Sequence, residues 1–277
     1  MPELPEVESL RRLLARSIVG RTIVSAQINE PRLRRAVAPD FRSAVGGRTI
    51  EGLRRRAKYL IVDLSGGSSM LVHLGMSGSL THRDARFAPG RFDSRHDHVC
   101  FQLDDQSALV YNDPRRFGLL KLVPRGELDS TAELKTLGPE PIGEGFNAAY
   151  LMDKTRGRRA AIKTVLMDQR VVAGIGNIYA AEILFRAGVK PTRRAGRLTR
   201  PEAEKIVGAT PAILREAIDS RGTTFRSYRD SRGRPGKFAS RLKVYGRAGE
   251  PCYACSTTIR NAVVGQRASF YCPHCQR

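Results

Sequence analysis

Met1-Pro2-Glu3-Leu4-Pro5-Glu6 begins the chain and leads into a segment whose apolar residues recur at helical spacing. Pro5 and Glu6 suit a first helical turn, where no backbone donor is lost and negative charge meets the helix dipole. If the first methionine is removed, Pro2 becomes a free secondary amine beside the Glu3 carboxylate. Such an amine can attack a carbon and hold it as an iminium, which a backbone amide cannot do. Pro-Glu pairs also start helices without any chemistry, and the segment alone favours that interpretation.

The chain carries a large surplus of positive charge. Of its 277 residues, 48 are Lys or Arg and 27 are Asp or Glu, which gives a formal net charge of +21. Residues 221–277 hold 12 of the basic residues and only two acids, and residues 54–58 form a second basic cluster. A surplus distributed in this way indicates a polyanionic partner, with nucleic acid as the leading candidate.

The sequence does not indicate a membrane protein. No stretch reaches the length of a membrane span, and the acidic, proline-bearing N-terminus is unlike a signal peptide. A basic helix lying on a membrane surface is the weaker interpretation of the charge. The expected compartment is the cytoplasm, where thiols stay reduced, so paired cysteines indicate metal before disulfide.

The secondary structure that the sequence predicts changes twice along the chain, from strands to helices and then to a basic loop. Residues 20–125 predict short strands separated by turn residues, which favours a β-sandwich flanked by the first helix. From residue 148 to about residue 220 the pattern is helical; Thr199 and Glu202 predict a capping box, and Pro211 predicts a kink or a break. Residues 221–240 predict a mobile basic loop. The predicted strands cover residues 22–28, 59–64, 70–74, 98–103, 108–111 and 118–123.

The predicted fold class is α+β, and the length allows more than one core. An N-terminal helix and β-sandwich precede a helical domain, and a small module ends the chain. The predicted bounds are residues 1–130, a linker at 131–147, a helical domain with the basic loop at 148–243, and the terminal module at 244–277.

Four cysteines near the C-terminus have the spacing of a zinc ribbon. Cys252-x2-Cys255 and Cys272-x2-Cys275 are separated by sixteen residues and can place four thiolates around one ion. Four thiolates leave no position for a substrate, so we expect one structural Zn²⁺ that takes no part in catalysis. Redox pairs are the alternative. His274 is expected at the surface rather than as a ligand.

Two further features suit phosphate binding. Gly174-Ile-Gly-Asn177 leads directly into a predicted helix, where backbone N–H groups and the helix dipole favour an anion; an ordinary capping turn is the equal alternative. Arg267, on a predicted hairpin between the cysteine pairs, is placed to meet a phosphate, although a solvated arginine is as common.

Seven short motifs follow one another along the chain. They are Pro2-Glu-Leu-Pro-Glu6, Arg56-Ala-Lys-Tyr-Leu60, His73-Leu-Gly-Met76, Asn112-Asp-Pro-Arg-Arg-Phe-Gly118, Gly174-Ile-Gly-Asn-Ile-Tyr179, Val244-Tyr-Gly-Arg247 and the four-cysteine finger. Motifs of this kind occur in the same order in the formamidopyrimidine-DNA glycosylases, bacterial enzymes that remove oxidised purines from DNA. The chain resembles this family from end to end.

The resemblance implies an active site. Pro2 is then the nucleophile, Glu3 its acid/base partner, and Glu6 either supports the site or caps the helix. Met76, Arg115 and Phe117 match residues that fill the gap left by an extruded nucleotide, and Lys163 contacts the nucleotide or the backbone. The positions that grip phosphates around the lesion are Lys58, His73, Asn177, Tyr245 and Arg267, of which Lys58 and Arg267 also support catalysis.

The resemblance also implies a helix–two-turn–helix domain and a partner, double-stranded DNA with oxidised bases or abasic sites. It implies a reaction that needs no organic cofactor. A basic segment including Thr223-Thr-Phe225 is expected to close over the flipped base. A monomer associated with the bacterial nucleoid is expected. Two alternatives stay open: an endonuclease VIII-like glycosylase for oxidised pyrimidines, and a non-catalytic zinc-finger clamp on DNA.

Overall fold

A computed structural model describes residues 1–84, 95–224, 228 and 230–277. The chain divides into two compact units. Unit 1 comprises residues 1–135 and 218–239, and unit 2 comprises residues 136–217 and 240–277. The first boundary falls inside the predicted linker. Phe225, part of the segment expected to close over a flipped base, lies outside the described residues.

Unit 1 begins with the predicted amphipathic helix, α1 (Leu4–Ile18). Five apolar side chains on one face are at most 1 % exposed, so the 3.6-residue period correctly predicted the buried face. Four of the five, from Val7 onward, belong to the main core of the unit. The five residues are Leu4, Val7, Leu10, Leu14 and Ile18.

Eight antiparallel strands follow among the described residues of this unit. The strands are β1 (Thr22–Ile28), β2 (Arg48–Arg56), β3 (Tyr59–Leu64), β4 (Ser68–His73), β5 (Ser79–Arg83), β6 (Asp97–Leu103), β7 (Ala108–Asn112) and β8 (Leu119–Pro124), with a short helix, α2 (Phe41–Val45), between β1 and β2. Their order is β5-β7-β6-β1-β2-β3-β4-β8. Strands β1 and β2 share only two residue pairs, so this order divides into two four-stranded halves. One core cluster takes side chains from both halves, as expected for a β-sandwich.

Two of these strands, β2 and β5, were not predicted because they are rich in polar and charged residues. In β2 the charges are paired within the sandwich. Arg54 donates to both oxygens of Asp63 at 2.6 and 2.8 Å, and Arg55 lies 3.3 Å from Glu8. Part of the basic cluster at residues 54–58 is therefore neutralised by the protein itself. Cys100, in β6, is buried beside Ala108 and Val110 as a small apolar residue.

Unit 2 contains the predicted helices. They are α3 (Ala148–Thr155), α4 (Ile162–Met167), α5 (Asn177–Arg186) and α6 (Arg200–Asp219), whose last two residues group with unit 1. The capping box is confirmed, since Thr199 N donates to the Glu202 carboxylate at 2.8 Å and Glu202 N to Thr199 Oγ1 at 3.4 Å. Helix α6 continues through Pro211.

The C-terminal module is the predicted hairpin, β9 (Arg260–Val264) and β10 (Arg267–Tyr271). Gly265 and Gln266 form its two-residue turn with φ of +56° and +60°, values that suit a type I′ turn. Among the described residues, no helix is long and apolar enough to cross a bilayer.

Candidate functional site

The first candidate residues lie at the N-terminus of α1. Pro2 and Glu3 are buried, whereas Met1 is 50 % exposed. Glu3 is the N-cap residue; its side chain and that of Glu6 each accept the other residue's backbone N–H, which is a capping box. Pro2 and the Glu3 carboxylate thus lie next to each other in the chain at the positive end of a fifteen-residue helix.

Glu6 also connects α1 to the segment at residues 218–239. Its Oε1 accepts the backbone N–H of Thr223 at 2.6 Å, and its carbonyl accepts the Tyr228 hydroxyl at 3.1 Å. Gly222 has a φ of +77°, and a Cβ there would lie 2.7 Å from Glu6 Oε1. Only glycine therefore allows this approach. The sequence predicted either a supporting or a capping role for Glu6, and the structure shows the cap together with this second contact.

Lys58 and His73 lie close together at the ends of adjacent strands. Burial, together with the positive charges of Lys58 and Arg34, lowers the pKa of His73 to about 4. The ring is therefore neutral near pH 7. Its Nδ1 accepts the backbone N–H of Gly75 at 3.0 Å, which leaves the proton on Nε2. His73 can donate one hydrogen bond to a phosphate oxygen, while the buried Lys58 supplies the charge.

Met76, Arg115 and Phe117 are brought together by two turns. Ser77 Oγ donates to the buried carboxylate of Asp113 at 2.8 Å and joins the turn after β4 to the turn after β7. Gly75 makes the approach possible, because a Cβ there would lie 2.6 Å from the backbone of Phe117. The Arg115 guanidinium lies 4.7 Å from the Phe117 ring centroid.

Phe117 is 46 % exposed, with the Arg115 guanidinium beside its ring. An exposed aromatic ring, a neighbouring methionine and a guanidinium form a group suited to enter a base stack. Asp113, which holds the two turns together, was not singled out from the sequence; its place at the start of the Asn112–Gly118 motif was the available signal.

In unit 2, three candidates converge on the start of β10. Lys163 is fully buried, and its ammonium donates to the Ala268 carbonyl at 3.0 Å and to Ser269 Oγ at 2.6 Å. Asn177 Nδ2 donates to the same carbonyl at 3.1 Å and lies 3.4 Å from the Tyr245 hydroxyl. Both side chains hold the strand immediately after the exposed Arg267.

The position of Lys163 differs from the expectation for a residue that contacts DNA. A buried ammonium must be compensated by hydrogen bonds, and the Lys163 ammonium forms them with Ala268 and Ser269 of the protein itself. This geometry supports a role in positioning the Arg267 strand, and a direct nucleic-acid contact at Lys163 stays a prediction.

We expect Lys163→Met to lower the free energy of unfolding of unit 2 by about 1–3 kcal/mol, since it leaves the buried Ser269 hydroxyl without its donor and removes one of two donors to the Ala268 carbonyl. Lys205→Met, at an exposed position on α6, is the matched control and should be near neutral. Urea denaturation followed by circular dichroism measures both. Equal stability of the two variants would contradict the role given to Lys163.

Two residues that support this group were missed from the sequence. Gln169 fixes the glycine loop ahead of α5, because its Oε1 accepts Gly174 N at 2.8 Å and its Nε2 donates to the Ile175 carbonyl at 2.8 Å. The buried Glu182 carboxylate accepts three consecutive backbone N–H groups, from residues 243–245, at 2.8–3.0 Å. The two side chains thereby position Asn177 and Tyr245.

The four predicted metal ligands form one cluster. The Sγ atoms of Cys252, Cys255, Cys272 and Cys275 all lie within 4.8 Å of one another, with three separations of 3.4–4.0 Å. Ligands at about 2.3 Å from a tetrahedral Zn²⁺ are about 3.8 Å apart, so the cluster fits zinc. Backbone N–H groups donate to Cys252 Sγ and Cys272 Sγ. The exposed His274 is not part of the cluster.

Comparison with known protein families agrees with the geometry. Residues 1–120 match the formamidopyrimidine-DNA glycosylase N-terminal domain, residues 137–229 match the H2TH domain of the same glycosylase, and residues 249–277 match a zinc finger found in FPG and IleRS.

Individual proteins match over the whole chain. The chain is 45 % identical over 285 residues to the formamidopyrimidine-DNA glycosylase of Cereibacter sphaeroides and 48 % identical over 278 residues to that of Stenotrophomonas maltophilia, with all of each chain covered. A complex of a Lactococcus lactis FPG variant with DNA containing Fapy-dG has a TM-score of 0.91 at 32 % identity, with all of both chains covered. A complex of Lactococcus lactis Fpg with abasic-site DNA has a TM-score of 0.90 at 33 % identity over 99 % of both chains.

Proposed function

The chain belongs to the formamidopyrimidine-DNA glycosylase family, and from this premise we propose how its residues carry out the family's reaction. The protein is a DNA repair glycosylase for oxidised purines with AP lyase activity, and it binds double-stranded DNA containing oxidised bases or abasic sites. It carries one structural zinc in its C-terminal finger. The observation that supports the mechanism best is the buried pair of Pro2 and Glu3 at the N-terminus of α1.

With Met1 removed, the Pro2 nitrogen attacks C1′ of the damaged nucleotide. The N-glycosidic bond breaks, and the base leaves with the bonding electrons and a solvent proton. The attacking nitrogen transfers its own proton to Glu3. The positive end of the helix dipole favours the neutral amine at this position, since it disfavours a second positive charge.

Glu3 then returns that proton to the ring oxygen as the C1′–O4′ bond breaks. The nitrogen lone pair forms the C1′=N bond, which gives an iminium on Pro2. The iminium acidifies C2′. Loss of a C2′ proton expels the 3′ phosphate, and a second elimination expels the 5′ phosphate, so both steps proceed without an organic cofactor.

The other candidate residues hold the DNA. Neutral His73 and charged Lys58 in unit 1 suit a backbone phosphate, as do Asn177, Tyr245 and Arg267 in unit 2. Contacts of this type position a duplex without reading its sequence. In the family role assigned by resemblance, Met76 and Phe117 occupy the space of the flipped nucleotide.

The experiment that tests this assignment is base release by Glu3→Gln. The variant keeps the shape of the side chain but cannot transfer the proton, so excision of 8-oxoguanine should slow by about 10²–10⁴-fold with DNA affinity nearly unchanged. Glu8→Gln, on the same helix in a cluster with Arg11 and Arg12, is the control and should excise at a nearly normal rate. Unimpaired excision by Glu3→Gln would remove Glu3 from the mechanism.

We expect Arg115 to set the preference for the base opposite the lesion. Its guanidinium can donate to the N3 and O2 acceptors of an unpaired cytosine, while adenine presents an amino group in place of one acceptor. Loss of such a contact costs roughly 1–3 kcal/mol. Arg115→Ala should therefore narrow the ratio of kcat/KM between cytosine and adenine opposite 8-oxoguanine. The control is Arg116→Ala at the neighbouring position. It removes an ion pair of 3.1 Å with Glu30 and should leave the kcat/KM ratio unchanged.

The domain bounds and the cellular location are also proposals. We propose the division into residues 1–130, 131–147, 148–243 and 244–277 as the functional domains, with the expected location in the cytoplasm at the nucleoid.

An endonuclease VIII-like preference for oxidised pyrimidines is the second candidate function. The Leu4-Pro5 sequence after Glu3 and the similarity to formamidopyrimidine-DNA glycosylases favour oxidised purines as the substrates. Competition between the two lesion classes in one assay separates them.

A further inference from the structure

Unit 2 contains a second concentration of positive charge beside Arg267. A cavity of about 360 Å³ lies between α4 and the turn of the β9–β10 hairpin. Its lining includes three arginines, Arg158, Arg170 and Arg267, together with Asp168. We name these four residues and the cavity the arginine recess. The volume is about ten times that of a water molecule in the liquid, so a phosphate group fits inside it.

The charges of the arginine recess do not cancel. Asp168 accepts two hydrogen bonds from the Arg170 guanidinium, at 3.1 and 3.2 Å, and its Oδ2 lies 3.9 Å from Arg158 Nη1. Despite its partial burial, these contacts lower the pKa of Asp168, so it is ionised at neutral pH. One negative charge faces three positive charges. The recess therefore attracts an anion, and the guanidinium fork is the group best suited to a phosphate.

The backbone that carries these arginines is fixed at several points. Arg158 N donates to the Thr155 carbonyl at 3.0 Å, and the Arg158 carbonyl accepts the N–H of Gly196 at 2.9 Å. On the other side, the hairpin turn contacts α4 so closely that a Cβ at Gly265 would lie 2.8 Å from Thr164 Oγ1. Backbone hydrogen bonds therefore fix the chain at Arg158, and close packing against α4 fixes the hairpin turn that precedes Arg267.

We propose that the arginine recess binds a backbone phosphate of the DNA, next to the phosphate held by Arg267, with Arg158 as the contacting residue. The inference rests on the proposed role of Arg267. A strand held there continues with one phosphate for about every 3.4 Å of helix axis, so the neighbouring phosphates come within reach of a recess that Arg267 itself lines. Arg170, held by its two hydrogen bonds to Asp168, adds a further positive charge to the lining of the recess. The recess extends the sequence-independent grip on the duplex beyond the residues matched by family motifs.

The test compares the salt dependence of binding between the wild-type protein and Arg158→Ala, with duplex carrying an uncleavable abasic analogue. Neutralising one phosphate contributes about −0.9 to the slope of log K against log salt. The slope of Arg158→Ala should therefore be shallower by about one unit. Its loss of affinity relative to wild type should shrink about three- to four-fold as salt rises from about 50 to about 200 mM.

The matched control is Arg200→Ala, which removes an exposed arginine on α6 that pairs with Glu204 at 3.1 Å. It should keep the wild-type slope. Neutral methylphosphonate linkages, introduced one at a time near the lesion, locate the contact. One linkage should weaken the wild-type protein and Arg200→Ala but have no further effect on Arg158→Ala.

The inference is overturned if Arg158→Ala keeps the wild-type salt slope. It is also overturned if every methylphosphonate linkage lowers the DNA affinity of Arg158→Ala as much as it lowers that of the wild-type protein. Borohydride trapping of the same proteins on lesion DNA separates this outcome from a failure of the proposed function. Normal trapping with an unchanged slope excludes the recess as a phosphate site and leaves the glycosylase mechanism intact. Absence of trapping in the wild-type protein would instead reject the mechanism.

Discussion

A chain that keeps one residue ahead of Pro2 is expected to bind lesion-containing DNA and to leave it uncut. The extra residue turns the Pro2 nitrogen into an amide, whose lone pair is delocalised and cannot form an iminium. Because Met1 is half exposed while Pro2 is buried, the added residue can extend into solvent without disturbing α1. Both base excision and strand cleavage should fall to background.

The control is the same protein carrying a cleavable extension. Removal of the extension by a protease that leaves Pro2 as the first residue should restore cleavage, while DNA affinity stays equal before and after. Cleavage of DNA by the extended protein, with the extension confirmed by intact mass, would show that the nucleophile lies elsewhere.

The second large effect is expected from loss of zinc. Zinc sites of this type bind with apparent free energies of about 10–16 kcal/mol in finger peptides, so metal binding is a large part of the folding energy of so small a module. Cys272→Ser should disorder much of residues 244–277 and weaken DNA binding, because Arg267 loses its hairpin. The sandwich of unit 1 has its own core and should stay folded.

Hydrogen exchange of individual segments measures this outcome. The finger is also tied to the helices: Gln276 donates to the Val189 carbonyl at 2.9 Å, and Cys252 and Cys272 share a core cluster with Ala181. Exchange should therefore also accelerate in α5. Cys100→Ala is the control, since it removes a buried thiol outside the cluster and should leave zinc content and exchange in the finger unchanged. A metal-free Cys272→Ser protein with full DNA affinity would contradict the structural role.

The sequence predicted those elements of the fold whose local pattern of residues indicates directly which side chains are buried. Helix α1 was predicted with nearly correct bounds because its apolar residues follow one helical period, and strands β1 and β3 were predicted with correct bounds from their β-branched residues. Strand β2 was missed because Arg54 and Arg55 are neutralised by Asp63 and Glu8, partners on other elements of the fold. Ionic pairing between separate elements has no local signature.

The candidate site shows the same limit. The cysteine spacing predicted a cluster because metal geometry imposes a short-range pattern, and the glycine-containing motifs predicted the turns. The burial of Lys163 and the bond from Thr223 to Glu6 depend on segments that are 105 and 217 residues apart. Only the folded chain brings these groups together, so their identities were predictable from the sequence and their partners were not.

The central claim is that Pro2 forms the covalent intermediate. Its most direct test is reduction with borohydride during reaction with 8-oxoguanine DNA, followed by peptide mapping of the protein–DNA adduct. Reduction converts the iminium into a stable amine, so we expect one adduct, on residue 2 of a chain that has lost Met1. The role of Pro2 as the nucleophile would be contradicted by an adduct on a lysine such as Lys58. It would also be contradicted if a protein with a confirmed free Pro2 gave no adduct.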